Sequence, residues 1–477
     1  MELKHLAAED VSLPPVGISA CRLSLAPNAP QRLEQMLRQG IRLFLSFPSH
    51  DDGAAEALLG SATTEDTVYA LSILGLLEGG LYQRALERER SGNPYPELVR
   101  LSEGVSYCLH PDFLHEQLAA AEQRLGRLGV TGILLQRPEL FLQWALQRGI
   151  PLQEVRRELF LRLERAFAAL EAWVHSGRIR FYGVLSESFH LPATDPLFLS
   201  AAELLELAHS VAGTQHHFRL LALPLNLFEH SAATEPNHGQ RTVLEYALGA
   251  GLQVLAYRPL NAVVRGRRVR LSEPPLSGSS LVSLEHIRAQ LREFVHTEAE
   301  LVHALVSQLQ EPYQRELLRE SLTLGLFLEE HWQQRVSYED WEELRTGYLL
   351  ERFRTVESSV RMLNMAENSL WQHYEERFRQ ALADIDRYYA ARAWERARQL
   401  RELLHEAVGR ELPPVPFARL TVGLVRATAG VAAVALASGA PEHGAELLAA
   451  GQLPLPTLYR EHWQRLRAAI EVLERVV

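Results

Sequence analysis

The sequence predicts an α/β protein built on a parallel (β/α)8 TIM barrel with an inserted α-helical subdomain. Three observations lead to this fold class. Short apolar runs alternate with amphipathic helical segments over about 250 residues, the length of one such barrel. These runs lack strict alternation of polar and apolar residues, which indicates strands covered on both faces. An arginine- and glutamate-rich helical stretch then separates the seventh strand from an eighth.

The first seven predicted strands follow one another as buried apolar segments. They lie at residues 14–23, 41–47, 67–74, 130–138, 178–186, 218–226 and 252–260. The segments between them indicate helices. Residues 30–40 have a proline near the start and a glycine past the end, and residues 152–177 place Leu159, Leu163 and Phe167 at i, i+4 and i+8. These units form a predicted domain at residues 14–271.

Residues 281–412 form the predicted inserted subdomain. Its aromatic residues recur at near-helical spacing and predict the core of a small helical bundle, with a partner-binding surface as the alternative. These residues are Trp332, Trp341, Tyr348, Phe353, Trp371, Tyr374, Phe378, Tyr388 and Tyr389. The pattern then returns to helix, strand and helix at residues 417–450, the predicted last β/α unit. A closing helix is predicted at residues 457–477.

Composition narrows the classes of function. The 477 residues carry a net charge of −10, which argues against nucleic acid as the main partner. The two cysteines, Cys21 and Cys108, cannot form a disulfide framework or a zinc site and suit a reducing cytosol. No apolar run reaches the roughly 18 residues of a membrane span, and the opening residues lack signal-peptide features. We therefore expect a cytoplasmic protein with no membrane partner and no metal.

Several phrases together resemble the aldo-keto reductase superfamily. "LERAFAALEAWVHSGRIRFYGVLSES" is similar to that family's helix 4, following turn and strand 5, and "TVLEYALGAGLQVLAYRPL" to its helix 6 and strand 7. "TAGVAAVALASGAPEHGAELLAA" is similar to its final strand and cofactor helix. "HPDFL" and "RPLNA" are similar to a bacterial and plant branch with a helical segment before the last β/α unit. The resemblance implies a barrel of this type and hydride transfer from a nicotinamide cofactor to a carbonyl.

The four catalytic positions that the resemblance implies are all replaced. In the family a tyrosine protonates the carbonyl oxygen, a lysine lowers that tyrosine's pKa, an aspartate holds the lysine and a histidine orients the carbonyl. Here the aspartate position falls on Leu45 and the tyrosine position on His50. The lysine position falls on Ile73 and the histidine position on Gln136. Lys4 is the only lysine in the chain, so no buried lysine can take part in a mechanism.

The cofactor positions are altered as well. The serine and asparagine that hold the nicotinamide carboxamide fall on Leu185 and Ser186, and the strand-6 glutamine falls on Ala222. Ser186 stays a weak candidate for cofactor binding. No arginine follows the last strand, where Glu442 and Glu446 are the remaining polar candidates. NADP is the one cofactor that the resemblance implies, and we expect no tight binding of it.

Arginines cluster after the seventh strand. "VVRGRRVRL" predicts a short hairpin with a basic face, formed by Arg265, Arg267, Arg268 and Arg270. Such a face could grip a phosphate or an acidic protein segment, or it could be merely solvated. Arg258 adds a fifth arginine near the same rim. An anionic small molecule at the barrel mouth is therefore a candidate partner. Arg258, Arg265 and Arg267 are also weak candidates for cofactor binding, because the resemblance implies that the loop after strand 7 approaches the cofactor pyrophosphate.

The histidines receive weaker interpretations. His50 is either a substitute acid or a solvated loop residue in a decayed site. His110 and His115 are five residues apart, which favours capping or surface roles over a metal site. His216 and His217 precede the sixth strand, on the face of a barrel that serves stability, and we expect no chemistry from them.

Three functions follow from these observations. The first is a catalytically inactive pseudoenzyme that keeps the barrel as a binding or regulatory scaffold, with residues 281–412 as a surface for a protein partner. The second is an NADP-dependent oxidoreductase of carbonyl substrates with a rebuilt site that uses His50, Gln136 and the arginine rim. The third is a barrel that binds an anion or a phosphorylated ligand without redox chemistry.

Overall fold

The computed structural model describes most of the chain in two compact units. The described residues are 11–20, 23–25, 28–62, 67–264, 267–274, 282–335, 337–362, 368–409, 411–437 and 444–476. The first unit comprises residues 1–262 and 405–477, and the second comprises residues 263–404. None of the helices in these described ranges is long and apolar enough to cross a membrane.

The first unit contains a closed barrel of eight parallel strands. In chain order these are β1 Val16–Ser19, β2 Leu43–Ser46, β3 Tyr69–Leu74, β4 Gly132–Gln136, β5 Phe181–Leu185, β6 Phe218–Pro224, β7 Gln253–Tyr257 and β8 Val431–Ala437. Each strand pairs with the next, and β8 pairs with both β7 and β1. The predicted (β/α)8 barrel is confirmed, including an eighth strand that follows the inserted helical segment.

The interior of the barrel is one apolar cluster. Side chains from all strands but β1 meet in it, and each of them is at most 5% exposed. They are Leu43, Leu45, Leu71, Ile73, Leu134, Phe181, Leu185, Leu220, Ala222, Leu255, Ala433 and Ala435, joined by Leu13 from the segment before β1. Leu and Ile dominate this interior, as branched side chains do in packed barrels of this class.

Helices surround the strands. The α-helices of this unit are Ala29–Arg38, Pro48–Asp51, Ala54–Ala62, Gly79–Arg90, Pro111–Leu125, Glu139–Leu146, Leu152–His175, Ala201–Ala212, Ser231–Thr234, Val243–Gly249, Phe417–Arg426, Gly444–Gly451 and Arg460–Val476. The long Leu152–His175 helix buries Leu159, Leu163 and Phe167, as its spacing predicts. His110 accepts a hydrogen bond from the Asp112 backbone at 3.2 Å and caps the Pro111–Leu125 helix, which confirms the capping role.

A small antiparallel sheet between β3 and the Pro111–Leu125 helix is not predicted by the sequence pattern. Its strands are Leu76–Leu77, Val99–Ser102 and Val105–Tyr107, and the Gly79–Arg90 helix lies between the first two. The strands are only two to four residues long. Such short segments offer too few positions for an alternating pattern to stand out from a loop.

The second unit is helical. Its α-helices are Leu284–Gln308, Pro312–Ser321, Leu324–His331, Tyr338–Leu344, Leu350–Met362 and Ser369–Val408, the last of which continues beyond the boundary between the units. Trp332, Trp341, Tyr374 and Phe378 are at most 1% exposed in a large apolar cluster, so the prediction that these aromatic residues form a helical core is confirmed. Tyr348 differs from them, because 37% of it is exposed.

Candidate functional site

Leu45 and Ile73 lie inside the packed barrel. Leu45 lies one residue before the end of β2 and is 1% exposed. Ile73 on β3 is also 1% exposed. Both belong to the apolar cluster of the barrel interior. An aspartate and a lysine at these two positions would need each other and water to offset their charges. The structure provides an aliphatic environment instead, so neither position retains a polar group for catalysis.

His50 and Gln136 are the two polar side chains among the four replaced positions. The His50 ring lies at the end of the short Pro48–Asp51 helix, where its Nε2 is 3.4 Å from the Glu78 carboxylate and the ring stacks on Phe47. Gln136 ends β4 and is 5% exposed, and its Oε1 has no hydrogen-bond partner among the described residues.

Charged side chains gather instead just past the carboxyl ends of β4 to β7. Arg137 follows β4 and lies 3.5 Å from Glu139 and 3.3 Å from Glu187. Arg258 follows β7 and pairs with Glu187 at 3.1 Å and with Glu229 at 2.7 Å. We call these five residues the mouth network. Two guanidinium groups thus face three carboxylates, and Glu187 bridges both arginines.

The mouth network is built on strained backbone. Arg137 has a φ of +47° and Arg258 a φ of +59°, a left-handed conformation that residues with a side chain rarely adopt. The Arg137 amide donates to the Leu185 carbonyl at 2.6 Å, and the Asn226 side-chain amide donates to the Arg258 carbonyl at 3.1 Å. These bonds hold each arginine in its conformation. Strain of this kind concentrates at ligand clamps and active sites, which makes this rim the candidate functional site.

Several buried polar atoms at the mouth network have no hydrogen-bond partner among the described residues. Beside the network these include the Gln136 Oε1 and the hydroxyls of Tyr107 and Tyr257, and within it the Nε atoms of Arg137 and Arg258. Burial raises the pKa of both tyrosines well above the ordinary value, and the nearby carboxylates of the mouth network raise it further. Both hydroxyls therefore stay protonated at neutral pH and can donate a hydrogen bond. Buried polar groups in native proteins are nearly always paired, so these atoms point to a bound water or ligand.

Glu139 of the mouth network is held by hydrogen bonds from the residues that follow β5. The Ser186 hydroxyl donates to Glu139 at 2.8 Å, and the Glu187 backbone amide donates to the same carboxylate at 2.9 Å. Burial raises the pKa of the Glu139 carboxyl, and Arg137 opposes the effect. Ser186 is fully buried and is used within the chain, so its hydroxyl is not presented to a carboxamide.

The remaining candidates lie partly outside the described residues. Arg265 and Glu442 are outside them, and the side chains of Arg267 and Glu446 are not described. The structure places Arg267 on a strand, Arg267–Arg270, that pairs with Asn261–Val264. Arg268 lies 3.6 Å from the Glu343 carboxylate in the second unit, and both side chains are mostly exposed.

Sequence reasoning missed most of the mouth network. It singled out Arg258 but not Arg137, Glu139, Glu187 or Glu229. The signal was present, since each of them follows a barrel strand within a few residues, in the phrases "QRPE", "SES" and "NLFE". Polar residues just past the carboxyl ends of barrel strands form the functional face of this fold.

The chain is similar to several solved structures at low sequence identity. No protein-family model and no curated protein matches the sequence. Among solved structures, an aldo-keto reductase from Bacillus halodurans is 13% identical with a TM-score of 0.45, covering 95% of this chain and 91% of that one. A glycerol dehydrogenase from Gluconobacter oxydans is 14% identical with a TM-score of 0.45, covering 98% and 96%.

A third structure, an aldo-keto reductase from Klebsiella pneumoniae in complex with NADPH, is 18% identical with a TM-score of 0.33 and covers 53% of this chain and 66% of that one. The closed order of the eight strands establishes the fold. It is a (β/α)8 barrel.

Proposed function

We propose that this chain is a cytoplasmic, aldo-keto-reductase-like barrel that acts as a binding or regulatory scaffold and does not transfer hydride. One observation carries the proposal. Leu45 and Ile73, where the resemblance places the aspartate and the lysine, are packed side chains of the barrel's apolar interior. In the family, a charged lysine lowers the pKa of the general acid. A general acid at this mouth would lack that charged partner.

The residues present do not fit a nicotinamide cofactor. Leu185 and Ala222 are apolar and buried where the family uses polar contacts to the carboxamide, and they are neighbours across β5 and β6. Ser186 donates its hydrogen bond to Glu139 rather than outwards. The similar structure from Klebsiella pneumoniae contains NADPH, but this chain lacks the matching donors. We therefore derive no step that uses NADP.

An anionic ligand at the mouth is supported less well than a neutral polar one. Arg137 and Arg258 are the cations of the mouth network, and three carboxylates already pair with them. An anion that displaced Glu187 or Glu229 would leave a carboxylate unpaired, which is costly in a partly buried site. The unpaired atoms of Gln136, Tyr107 and Tyr257 suit a small polar molecule that both accepts and donates hydrogen bonds.

The proposed scaffold role also requires a protein partner. We propose that this partner binds to the surface of residues 281–412. Within the second unit, Tyr313 is 76% exposed and Leu326 is 55% exposed. Leu326 borders a groove of about 390 Å³ between the Leu284–Gln308 helix and the segment around Arg319 and Thr323. Arginine beside a groove with apolar side chains is common in protein interfaces, and Arg319 lines this one.

A calorimetric titration with NADPH and NADP+ tests the loss of cofactor binding. We expect no heat of binding at millimolar cofactor, because the carboxamide contacts are replaced by Leu185 and Ala222. An active aldo-keto reductase titrated in the same buffer is the positive control. Binding at micromolar cofactor would contradict the proposed function and would favour the oxidoreductase alternative.

A further inference from the structure

A second polar cluster lies at the amino-terminal end of β6, away from the mouth network. It consists of Glu171 and His175 near the end of the Leu152–His175 helix, and of His217, which directly precedes β6. One ligand atom from each of the three residues lies within 4.8 Å of the others. This cluster plays no part in the proposed function of the mouth. In the sequence, His217 is 42 residues from His175 and 46 residues from Glu171.

Glu171 is a buried carboxylate held by three donors. Its Oε1 accepts from the Tyr182 hydroxyl at 2.9 Å and from the His217 backbone amide at 2.6 Å. Its Oε2 is 2.7 Å from His217 Nδ1. Among the described residues, Glu171 forms no ion pair with an arginine, and His217 is its only titratable cationic partner. Buried charges in proteins are either paired or bound to a metal ion.

The hydrogen bonds fix which nitrogen of each imidazole is available. His175 Nδ1 is 2.7 Å from the Glu171 carbonyl oxygen, and His217 Nδ1 faces the Glu171 carboxylate. The Glu171 carbonyl oxygen only accepts hydrogen bonds, so His175 Nδ1 carries the proton and the neutral His175 ring keeps its lone pair on Nε2. Histidines that bind a metal nearly always donate their other N–H to a carboxylate or a backbone carbonyl, as His175 does here. His217 Nδ1 and Glu171 Oε2 lie side by side, and both can bind one ion once the proton between them is released.

The two rings also lie close together and can be reached from solvent. Their centroids are 5.5 Å apart with the planes nearly perpendicular. His175 is exposed, whereas the side chains of His217 and Glu171 are 16% and 6% exposed. The cluster is therefore open on the His175 side, which gives an ion a path in while the other two groups are held in place.

We propose that His175, His217 and Glu171 form a binding site for a divalent transition-metal ion of the zinc class. Two imidazoles and a carboxylate suit zinc, cobalt and nickel, whereas magnesium and calcium prefer oxygen ligands alone. Solvent completes the coordination on the open side. The bound ion links the end of the Leu152–His175 helix to the start of β6, and its role is structural.

Titration of the untagged full-length chain with Zn2+ and Co2+ tests the site. We expect one Zn2+ per chain by calorimetry, a rise in the melting temperature with Zn2+, and visible Co2+ absorption bands from nitrogen ligation. His175→Ala changes an exposed side chain and leaves the fold intact, so it should weaken Zn2+ binding at least tenfold and remove the Co2+ bands. His217→Gln should do the same, with circular dichroism as the check on folding.

His209→Ala is the matched control. His209 is another exposed helical histidine, and its ring lies edge to face with that of His216, with the centroids 4.5 Å apart. This variant should bind Zn2+ like the unmodified chain. The proposal is overturned if the unmodified chain binds no Zn2+, if His175→Ala binds it unchanged, or if His209→Ala is the variant that loses it.

Discussion

Replacement of Glu56 by alanine is expected to lower the free energy of unfolding by about 3–5 kcal/mol. The substitution removes one partner of a buried ion pair and leaves the other, Arg124, without its carboxylate. Glu56 is 1% exposed behind the barrel, in the Ala54–Ala62 helix. Its carboxylate accepts from the hydroxyls of Ser46 at 2.7 Å and Ser72 at 2.6 Å, and lies 2.6 Å from Arg124. Alanine would leave a guanidinium and two hydroxyls without their common partner.

Urea unfolding followed by circular dichroism measures this loss. Arg38→Ala serves as the control, because Arg38 and Glu34 form an i, i+4 pair with side chains that are 76% and 56% exposed. Such exposed pairs contribute little, so the control should change the free energy of unfolding by less than about 0.5 kcal/mol. Equal effects of the two variants would show that the Glu56 network does not stabilise the barrel.

Leu45→Asp is expected to have an effect at least as large, at about 4 kcal/mol or more, because it places a carboxylate in the apolar interior of the barrel without a partner. Adding Ile73→Lys to the Leu45→Asp variant restores the aspartate and the lysine that the resemblance places at these two positions. The pair would still lack the polar surroundings that offset its desolvation, so the double variant should remain far less stable than the unmodified chain.

Leu45→Met keeps the volume and the apolar character of the side chain, and should cost less than about 1.5 kcal/mol. The comparison of aspartate with methionine separates a packed interior from a wet cavity. If Leu45→Asp unfolds at the same urea concentration as Leu45→Met, then position 45 faces water and the barrel interior is not the packed apolar cluster described above.

The fold could be predicted from the sequence because its signals are local. The run "GVAAVALA" is apolar throughout and flanked by helical patterns, and β8 lies within it at Val431–Ala437. The replaced positions were predictable for the same reason, since "GAAEALLG" fixes the register that places Leu45 on β2. A hairpin around Gly266 follows from the glycine between two short runs, and paired strands are found on both sides of it.

The polar networks could not be predicted, because they join residues distant in sequence. Glu56 meets Arg124 across 68 positions, and Arg258 meets Glu187 across 71. One interpretation of the sequence makes His50 a solvated loop histidine in a decayed site. In the structure its ring lies 3.4 Å from the carboxylate of Glu78, a residue that follows β3 in the sequence. No chemistry is predicted for His217, because it precedes the sixth strand on the stability face of the barrel. Its neighbours on the Leu152–His175 helix are brought to it only in the folded barrel.

The most direct test of the central claim is a spectrophotometric assay of NADPH oxidation with a panel of aldehydes and ketones. The full-length chain at high concentration should give the same rate with and without each carbonyl, because Leu45 and Ile73 supply neither the charge pair nor a path for the proton. An oxidation rate that depends on the carbonyl, saturates with substrate and falls in Tyr257→Phe or His50→Ala would contradict the account and establish a rebuilt reductase.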